Sequence, residues 1–476
     1  MLRFLTSTYN YIRLIWKAYT LIDQYQDKHL RHPDINEIVQ EITPYIERCG
    51  CVCIKFCQWA TPILDILVNE SHKKLGSKPY WLNCLEKFYE NCENHSFTYT
   101  SHLFKQEFGE SISDNYEVVS LIGSGSIGQV YKLKSIHTED YYALKVIHPK
   151  VAFDMGYFKW ALFMCYKIER LRKVIQRVLP YDIHKFFDVF EKQIDLIHEA
   201  NNLCRIQYNY RKNQYIHIPQ LIRFSRNLLL MSYEEGFSIE DPQINQYDKM
   251  KLINLLSMFN KNNFEVDRFN HGDLHIGNWK IQPYKDHYRL VIFDFGFCWY
   301  YRNDRITDNL TDAIVDSEPN NLKPLIQVIY DILDVNDESM YQVIEDKVRS
   351  HITEDNIIAD PQKVVYYTLE LCHENQIIID PVVFQCILVF IQVFKYMDTY
   401  GLSNSYEKFP TCDLIYRNMY PNTLAICESY KIFPEISQKI RTKLNEKQPT
   451  VSGLFDSLDH TKHITKDIRA LLKFDS

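Results

Sequence analysis

The run Leu121-Ile-Gly-Ser-Gly-Ser-Ile-Gly-Gln-Val-Tyr131 spaces three glycines as G-x-G-x-x-G. About twenty residues later a lone lysine stands in the apolar run Ala143-Leu-Lys-Val-Ile147. Far downstream, His271-Gly-Asp-Leu-His-Ile-Gly-Asn278 is followed by Val291-Ile-Phe-Asp-Phe-Gly296. These residue types suit phosphoryl transfer. Glycines let backbone amides approach phosphate oxygens with no Cβ in the way. A lysine in an apolar strand is costly unless paired, and nucleotide phosphates together with a carboxylate would pair it. Aspartate and asparagine offer the hard oxygens that magnesium prefers.

The setting refines the chemistry. A dinucleotide fingerprint should open a helix, whereas the residues after Gly128 read as a strand. A strand-loop-strand glycine loop suits a kinase-type cover over phosphates, with a plain hairpin as the alternative for this segment alone. The nucleotide contacts are then Gly123, Ser124, Gly125, Ser126, Gly128, Val130 and Lys145. In Gln193-Ile-Asp-Leu-Ile-His-Glu-Ala200, Asp195 and Glu199 are four apart and are expected to share a helix face. Glu199 is taken as the partner of Lys145, with a solvated acidic face as the alternative. The Asp-x-x-x-x-Asn spacing of Asp273 and Asn278 matches a kinase catalytic loop. Asp273 would accept the proton of an attacking hydroxyl or position that nucleophile. Asn278 and Asp294 are the expected magnesium ligands, so ATP and Mg2+ are the implied cofactors. His271 and His275 read as hydrogen-bonded loop residues, and His275 receives no catalytic role.

Elements must hold these residues in place. Residues 1–110 read as helices, with Pro44, Pro62 and Pro79 as punctuation. Tyr116–Leu121, Gln129–Leu133 and Tyr141–Ile147 read as strands. A helical region follows from about 152 to 208, interrupted near Pro180, and then the apolar run Leu228–Tyr233. Polar helices come next, then the loop 271–278 and a strand Arg289–Phe293 that stops at Asp294. Beyond about 304 the chain again reads as helix and connector. The expected class is α+β, in three parts: a helical extension (1–110), a small β-rich lobe with a helical insert (111–236) and a mostly helical lobe (237–476). A site between the two lobes is the natural inference.

The chain has only 13 glycines in 476 residues, where about 7% usage would give about 33. Six of them fall at 123, 125, 128, 272, 277 and 296, so backbone freedom is concentrated at the motifs. With 46% hydrophobic, 24% charged and 14% aromatic residues, disordered and collagen-like classes are excluded. A net charge of −7 argues against a general nucleic-acid binder. Thirteen cysteines, with no convincing signal peptide, point to reduced thiols and an intracellular setting. Cys49, Cys51, Cys53 and Cys57 invite a zinc proposal, but they form no C-x-x-C pair. In one helix Cys51 would point away from the stripe of the other three, so buried free thiols are expected. No apolar run reaches 18 residues. Within Ile377–Met397, Asp380-Pro381 reads as the N-cap and first turn of a buried helix. Met1–Ile22 carries Arg3, Arg13 and Lys17 and no acid, which suits an interfacial anchor, a transit-like segment or a helix packed on the body. No internal repeat is present.

HGDLHIGN resembles both aminoglycoside/choline kinase-like enzymes and a second family, which the N-terminal region selects. Arg48-Cys-Gly-Cys-Val-Cys-Ile-Lys-Phe-Cys-Gln-Trp-Ala-Thr-Pro-Ile-Leu-Asp65 resembles the K-x-G-Q region of the UbiB-like, aarF-domain-containing (ADCK) atypical kinases, with Lys55 and Gln58 as its lysine and glutamine. The resemblance continues through GSGSIGQVYK, ALKVIHPKV, DLIHEANNL, HGDLHIGN and DFG, over roughly residues 45–300. It implies a bilobal protein-kinase-like fold with N-terminal helices across the cleft, Lys55 and Gln58 facing the nucleotide, and ATP- and magnesium-dependent kinase or ATPase activity. It further implies a role in isoprenoid-quinone or lipid metabolism at a membrane surface. The chain departs from the family pattern at several points. Cys57 replaces the motif glycine, Gln193 replaces the first acid of E-x-D and leaves Asp195 as the second, and Ile276 stands where proline is usual. Gly123 and Gly125 replace an alanine-rich loop, and no A-P-E motif follows Asp-Phe-Gly. The alternatives are a non-catalytic nucleotide- or lipid-binding scaffold and a small-molecule phosphotransferase; the phosphate acceptor is open.

Overall fold

A computed structural model describes residues 2–26, 35–71, 94–178, 180, 183–300, 306, 309, 321–335, 337–351, 361–400 and 438. The chain begins with α1 (Leu2–Gln26), α2 (Ile35–Arg48) and α3 (Cys51–Ser71). Pro44 and Pro62, expected to punctuate, instead lie inside α2 and α3. Each proline removes a helix N–H. The residue before each is a threonine that bonds back to its own i−4 carbonyl, Thr43 donating its hydroxyl to Val39 O at 2.6 Å and Thr61 to Cys57 O at 2.7 Å. Pro79 lies outside the described residues. Gly50, at φ 95°, breaks the chain between α2 and α3, so Cys49 lies in the turn before α3, yet the Cys53 thiol meets both Cys49 and Cys57 while Cys51 faces Asp154. Cys49 and Cys53 are buried free thiols.

α1 packs on the body through Tyr11, which is 2% exposed and stacks on Tyr157 with ring centroids 6.3 Å apart. Its opposite face presents Leu5, Tyr9, Ile12 and Trp16, at 53–68% exposure, in a single stripe with 4-3-4 spacing.

α4 (Phe97–Phe108) is capped by Ser96 and closed by Gly109 in the left-handed region; α5 (Ile112–Asn115) leads into the first sheet. That sheet is antiparallel in the order β1-β2-β3-β6-β5, from β1 (Tyr116–Ser124), β2 (Gly128–Ser135), β3 (Tyr141–Ile147), β5 (Leu221–Phe224) and β6 (Leu228–Ser232). Leu133, Leu144, Val146, Leu228 and Leu230 fill one face against Phe104 and Phe108 of α4. Between β3 and β5 run α6 (Val151–Lys167), α7 (Glu169–Val178), α8 (Ile183–Lys192) and α9 (Leu196–Tyr210). The helical region is therefore broken at Ile168 and at Gln193–Asp195 as well as near Pro180.

β4 (Ile216–His217) pairs with β9 (His287–Ile292), which also pairs with β8 (Trp279–Tyr284) in a three-stranded sheet. β7 (Phe269–His271) pairs with β10 (Cys298–Tyr300). The expected polar helices resolve into α10 (Gln246–Asn262), whose second half, Leu252–Asn262, is buried on every face, Asn254, Asn260 and Lys261 included. α11 (Lys323–Leu333), α12 (Glu338–His351), α13 (Pro361–Asn375) and α14 (Pro381–Thr399) follow. Asp380 accepts from Val382 N at 2.8 Å and caps α14, with Pro381 in its first turn. α14 is long and apolar enough to cross a membrane, yet it packs on α10 and buries Phe384, Leu388, Val389 and Ile391 in the core.

Candidate active site

Alternation along β3 sends Leu144 and Val146 towards α4, and Ala143, Lys145 and Ile147 to the other face. There Lys145 Nζ donates to both carboxylate oxygens of Glu199, at 2.9 and 2.8 Å. The same ammonium lies 3.2 Å from Asp294 Oδ1. Glu199 reaches it because Leu196, Ala200, Leu203 and Ile206 bury one stripe of α9 and carry the glutamate, 2% exposed, into the core. Asp195 does not share that face. It is the N-cap of α9, accepting from Ile197 N at 2.9 Å, so its carboxylate serves the helix end.

Burial pushes Glu199 up to about 7, with Lys145 pulling it down and Asp294 adding to the rise. Burial also works against the Lys145 cation, but Asp294 and Glu199 outweigh it and hold the lysine above its ordinary value. Asp294 is held below the usual carboxylate range, because Lys145 and Lys55 overcome the cost of its burial. Its carboxylate nevertheless reaches solvent, at 44% exposure.

Asp294 has φ 54°, a left-handed conformation that Asp and Asn tolerate better than most residues. Its Oδ1 accepts from Gly296 N at 3.3 Å. Phe293 N donates to Asn278 O at 2.8 Å, which joins the Asp294 strand end to the catalytic-type loop. Within that loop Asn278 Nδ2 donates to Asp273 O at 2.9 Å. The amide oxygen of Asn278 is therefore the atom left to ligate a cation. Lys55 Nζ, from α3, lies 3.5 Å from Asp273 Oδ2. Gln58 is one turn further along α3, and its side chain lies outside the described residues. Two lysines thus meet three carboxylates, of which Asp294 and Asp273 reach solvent, at 44% and 26% exposure. This donor set fits a hard divalent cation.

In the glycine loop, Gly125 N donates to Gly128 O at 3.0 Å. A Cβ on Gly128 would stand 2.5 Å from Val146 O, so packing alone demands that glycine. Gly123 has nothing within 4 Å of such a Cβ and Gly125 only Gly128 O at 3.8 Å. The fold does not require those two glycines, and the space beside them is open for a ligand. Val130 lies directly across from Lys145 in the β2–β3 ladder and shares its face. Ser124 and Ser126 are buried, with Ser124 Oγ 3.4 Å from His148 Nε2.

Several positioning residues were not anticipated from the sequence. Asn202, three residues after Glu199 on the same face, donates to Phe295 O at 2.8 Å and ties α9 to the Asp-Phe-Gly segment. Gln385 of α14 donates to Gly272 O at 2.9 Å, and Trp299 Nε1 donates to Cys386 Sγ at 3.2 Å. A Cβ on Gly272 would fall 2.0 Å from the Trp299 ring. His271 is fully engaged: Nε2 donates to Phe293 O at 2.9 Å and Nδ1 accepts from Asp273 N at 3.2 Å. Burial lowers its pKa and favours this neutral form. His275 accepts from Gly277 N at 3.0 Å and lies 3.9 Å from Asp273 Oδ2.

A family model described as the ABC1 atypical kinase-like domain matches residues 87–327. The probable serine/threonine-protein kinase abkC of Dictyostelium discoideum is 26% identical over 265 residues, 53% of this chain and 36% of that protein. A mitochondrial ABC1 family protein of Schizosaccharomyces pombe is 26% identical over 288 residues, 50% of this chain and 38% of its own length. The probable protein kinase UbiB of Aliivibrio salmonicida is 27% identical over 177 residues, 36% of this chain and 32% of its own. The chain spans about a third of the length of these curated relatives.

Proposed function

The chain belongs to the ABC1 atypical kinase-like family and has its kinase-like α+β fold, and from that premise we propose that it is an ATP- and magnesium-dependent atypical kinase or ATPase. The observation that carries this reading is the convergence on Lys145 of Glu199 and Asp294, three residues brought from β3, α9 and the end of β9. When bound, ATP would supply the phosphoryl group and magnesium would offset its charge. Asn278 and Asp294 would hold the metal. Lys145, pre-set by Glu199, would donate to phosphate oxygens. Asp273, its backbone held by His271 and Asn278, would orient the acceptor or take its proton. Lys55 beside Asp273 opposes that proton transfer until the cation is drawn elsewhere, and we read Gln58 as acting with it on the nucleotide side. We read 1–110, 111–236 and 237–476 as the extension, the small lobe and the large lobe of this machine.

The reading is tested by thermal unfolding of the purified chain. ATP with magnesium at a hundredfold excess over Kd should add about 2.7 kcal/mol of stability, and chelation should remove the gain. No magnesium-dependent shift at any nucleotide concentration would sink the proposal.

We further propose action on a lipid-derived substrate at a membrane surface. The support is the outward stripe of α1, whose apolar residues lie beside Arg13, Lys17 being paired with Glu41 of α2. An amphipathic face with an adjoining cation suits an anionic interface. Trp16→Glu should reduce flotation with anionic liposomes by about tenfold or more, from the roughly 1.5–3 kcal/mol that one large apolar side chain contributes. Unchanged flotation would withdraw the stripe from this role.

A further inference from the structure

Beneath the glycine loop lies a buried polar set that the phosphate chemistry does not use. His148, directly after β3, donates its backbone N–H to Ile127 O at 2.8 Å and places Nε2 3.0 Å from Gly125 O. Its Nδ1 faces Nδ1 of His95 at 2.8 Å. His95, just before α4, places Nε2 2.9 Å from Thr100 Oγ1. Gln129 clamps the His95 backbone, accepting from His95 N at 2.9 Å and donating to His95 O at 3.2 Å. Thr100, Gln129 and His148 are 0%, 1% and 7% exposed.

The hydrogens can be assigned from one end. A carbonyl only accepts, so His148 Nε2 carries a hydrogen for Gly125 O. Neutral His148 then has a bare Nδ1, and the hydrogen between the rings belongs to His95 Nδ1. Neutral His95 in turn has a bare Nε2, which accepts from the Thr100 hydroxyl. The bonds run in one direction, from Thr100 through His95 and His148 to Gly125. A further proton on His148 Nδ1 would set two N–H groups face to face, and one on His95 Nε2 would displace the Thr100 donor.

We propose that His148 is a positioning residue of the nucleotide loop, held by His95, and that this one-proton pair anchors the Gly125 carbonyl from behind. The Gly125–Ser126 peptide is planar and trans, so a carbonyl turned towards His148 turns the Ser126 N–H the opposite way, into the space beside the loop. The part concerning phosphate rests on the nucleotide reading above; the anchor itself does not.

The groups facing the pair are the Ser124 hydroxyl from β1, Gln129 and the Tyr131 hydroxyl from β2, and Thr100 and the Tyr99 ring from α4. Glu107, also on α4, acts on Tyr99 through its charge. Burial, then the neighbouring His148, lower His95 to about 4. A histidine depressed in this way contributes fully above its unfolded value near 6.5, and the contribution is lost as pH falls through the folded value. The anchor should hold at pH 7.5 and weaken between about 6.5 and 4.

The test is hydrogen exchange of amides 123–128 in the nucleotide-free protein, with Mg-ATP affinity measured in parallel at pH 7.5 and 5.5. His148→Ala should speed loop exchange and weaken Mg-ATP binding by about tenfold each, as for one lost buried hydrogen bond. His148→Gln, whose amide can still donate to Gly125 O, should restore both at pH 7.5 and remove the wild-type acceleration of loop exchange at pH 5.5, whereas affinity at pH 5.5 also responds to Glu199 in either protein. Should His148→Ala fail to fold, His95→Phe is expected to release the loop in the same way. Unchanged exchange in these variants, or an acid acceleration of loop exchange retained in His148→Gln, overturns the proposal. Faster loop exchange in a protein that binds no nucleotide would support the anchor and count against the nucleotide reading alone.

Discussion

Asp294→Asn should give a folded protein that gains no stability from ATP and magnesium and whose phosphoryl transfer or hydrolysis falls by about a hundred- to a thousandfold. The fold should survive because asparagine tolerates the left-handed φ of 54° and keeps the shape that accepts from Gly296 N at 3.3 Å. The charge is what disappears. Asp294 is the partly exposed carboxylate of the group around Lys145, at 44% exposure against 2% for Glu199. It is therefore the one able to meet a cation arriving from solvent. With asparagine there, Lys145 retains Glu199 as its partner, and the unliganded protein should unfold near the wild-type temperature. Steady-state turnover and thermal shift on the same preparation check this. Turnover within tenfold of wild type would remove Asp294 from the metal-binding role.

The second large effect falls on stability. Lys145→Met removes the only cation bonded to both oxygens of Glu199 among the described residues and leaves that carboxyl buried. Breaking one side of a buried pair costs about 3–5 kcal/mol. The cost should depend on pH, and its sign follows from Glu199. Burial and Asp294 already raise Glu199 against the pull of Lys145, and without the lysine it rises further. A carboxyl raised above its unfolded value near 4.5 destabilises increasingly as pH climbs from that value through the folded one. Lys145→Met should accordingly be least stable near pH 8 and recover towards pH 5, as followed by denaturant unfolding. The double variant Lys145→Met/Glu199→Leu should regain most of the loss at pH 8, since an apolar pair fills the same space without desolvating a charge. It should still bind no nucleotide. A single variant with flat pH dependence would show that Glu199 does not carry the cost.

Much of this arrangement was legible because chemistry constrains residue type. Lys145 stands out as a charge in an apolar strand; Glu199 is picked out by its spacing to Asp195 on the following helix, and the apolar stripe that carries it inward shows in the structure. The three leading strands of the first sheet were legible from their β-rich runs and the glycines between the first two. β4 and β10, two and three residues long, are too short for a period to register, and β8 contains Lys280, Gln282 and Pro283. The role of Asp195 was misplaced because a helix face was assumed where the helix begins, one residue later. The prolines of α2 and α3 were read as punctuation because proline is a poor helix interior residue, and the packing that keeps both helices continuous through them is visible only in three dimensions. The supports from Asn202, Gln385 and Trp299 join segments about ninety to more than a hundred residues apart, where spacing carries no signal.

α14 imposes a choice on the molecule. It has the length and apolarity of a membrane span, yet Gln385 and Cys386 of the same helix hold Gly272 and Trp299 at the back of the catalytic-type loop. The helix cannot dissolve in a bilayer and brace that loop at once. Insertion would strip Gly272 O of its donor and free Trp299 to move. While the loop is so braced, α14 itself is not available to a bilayer, and a detergent able to draw it out would release Gly272 and Trp299.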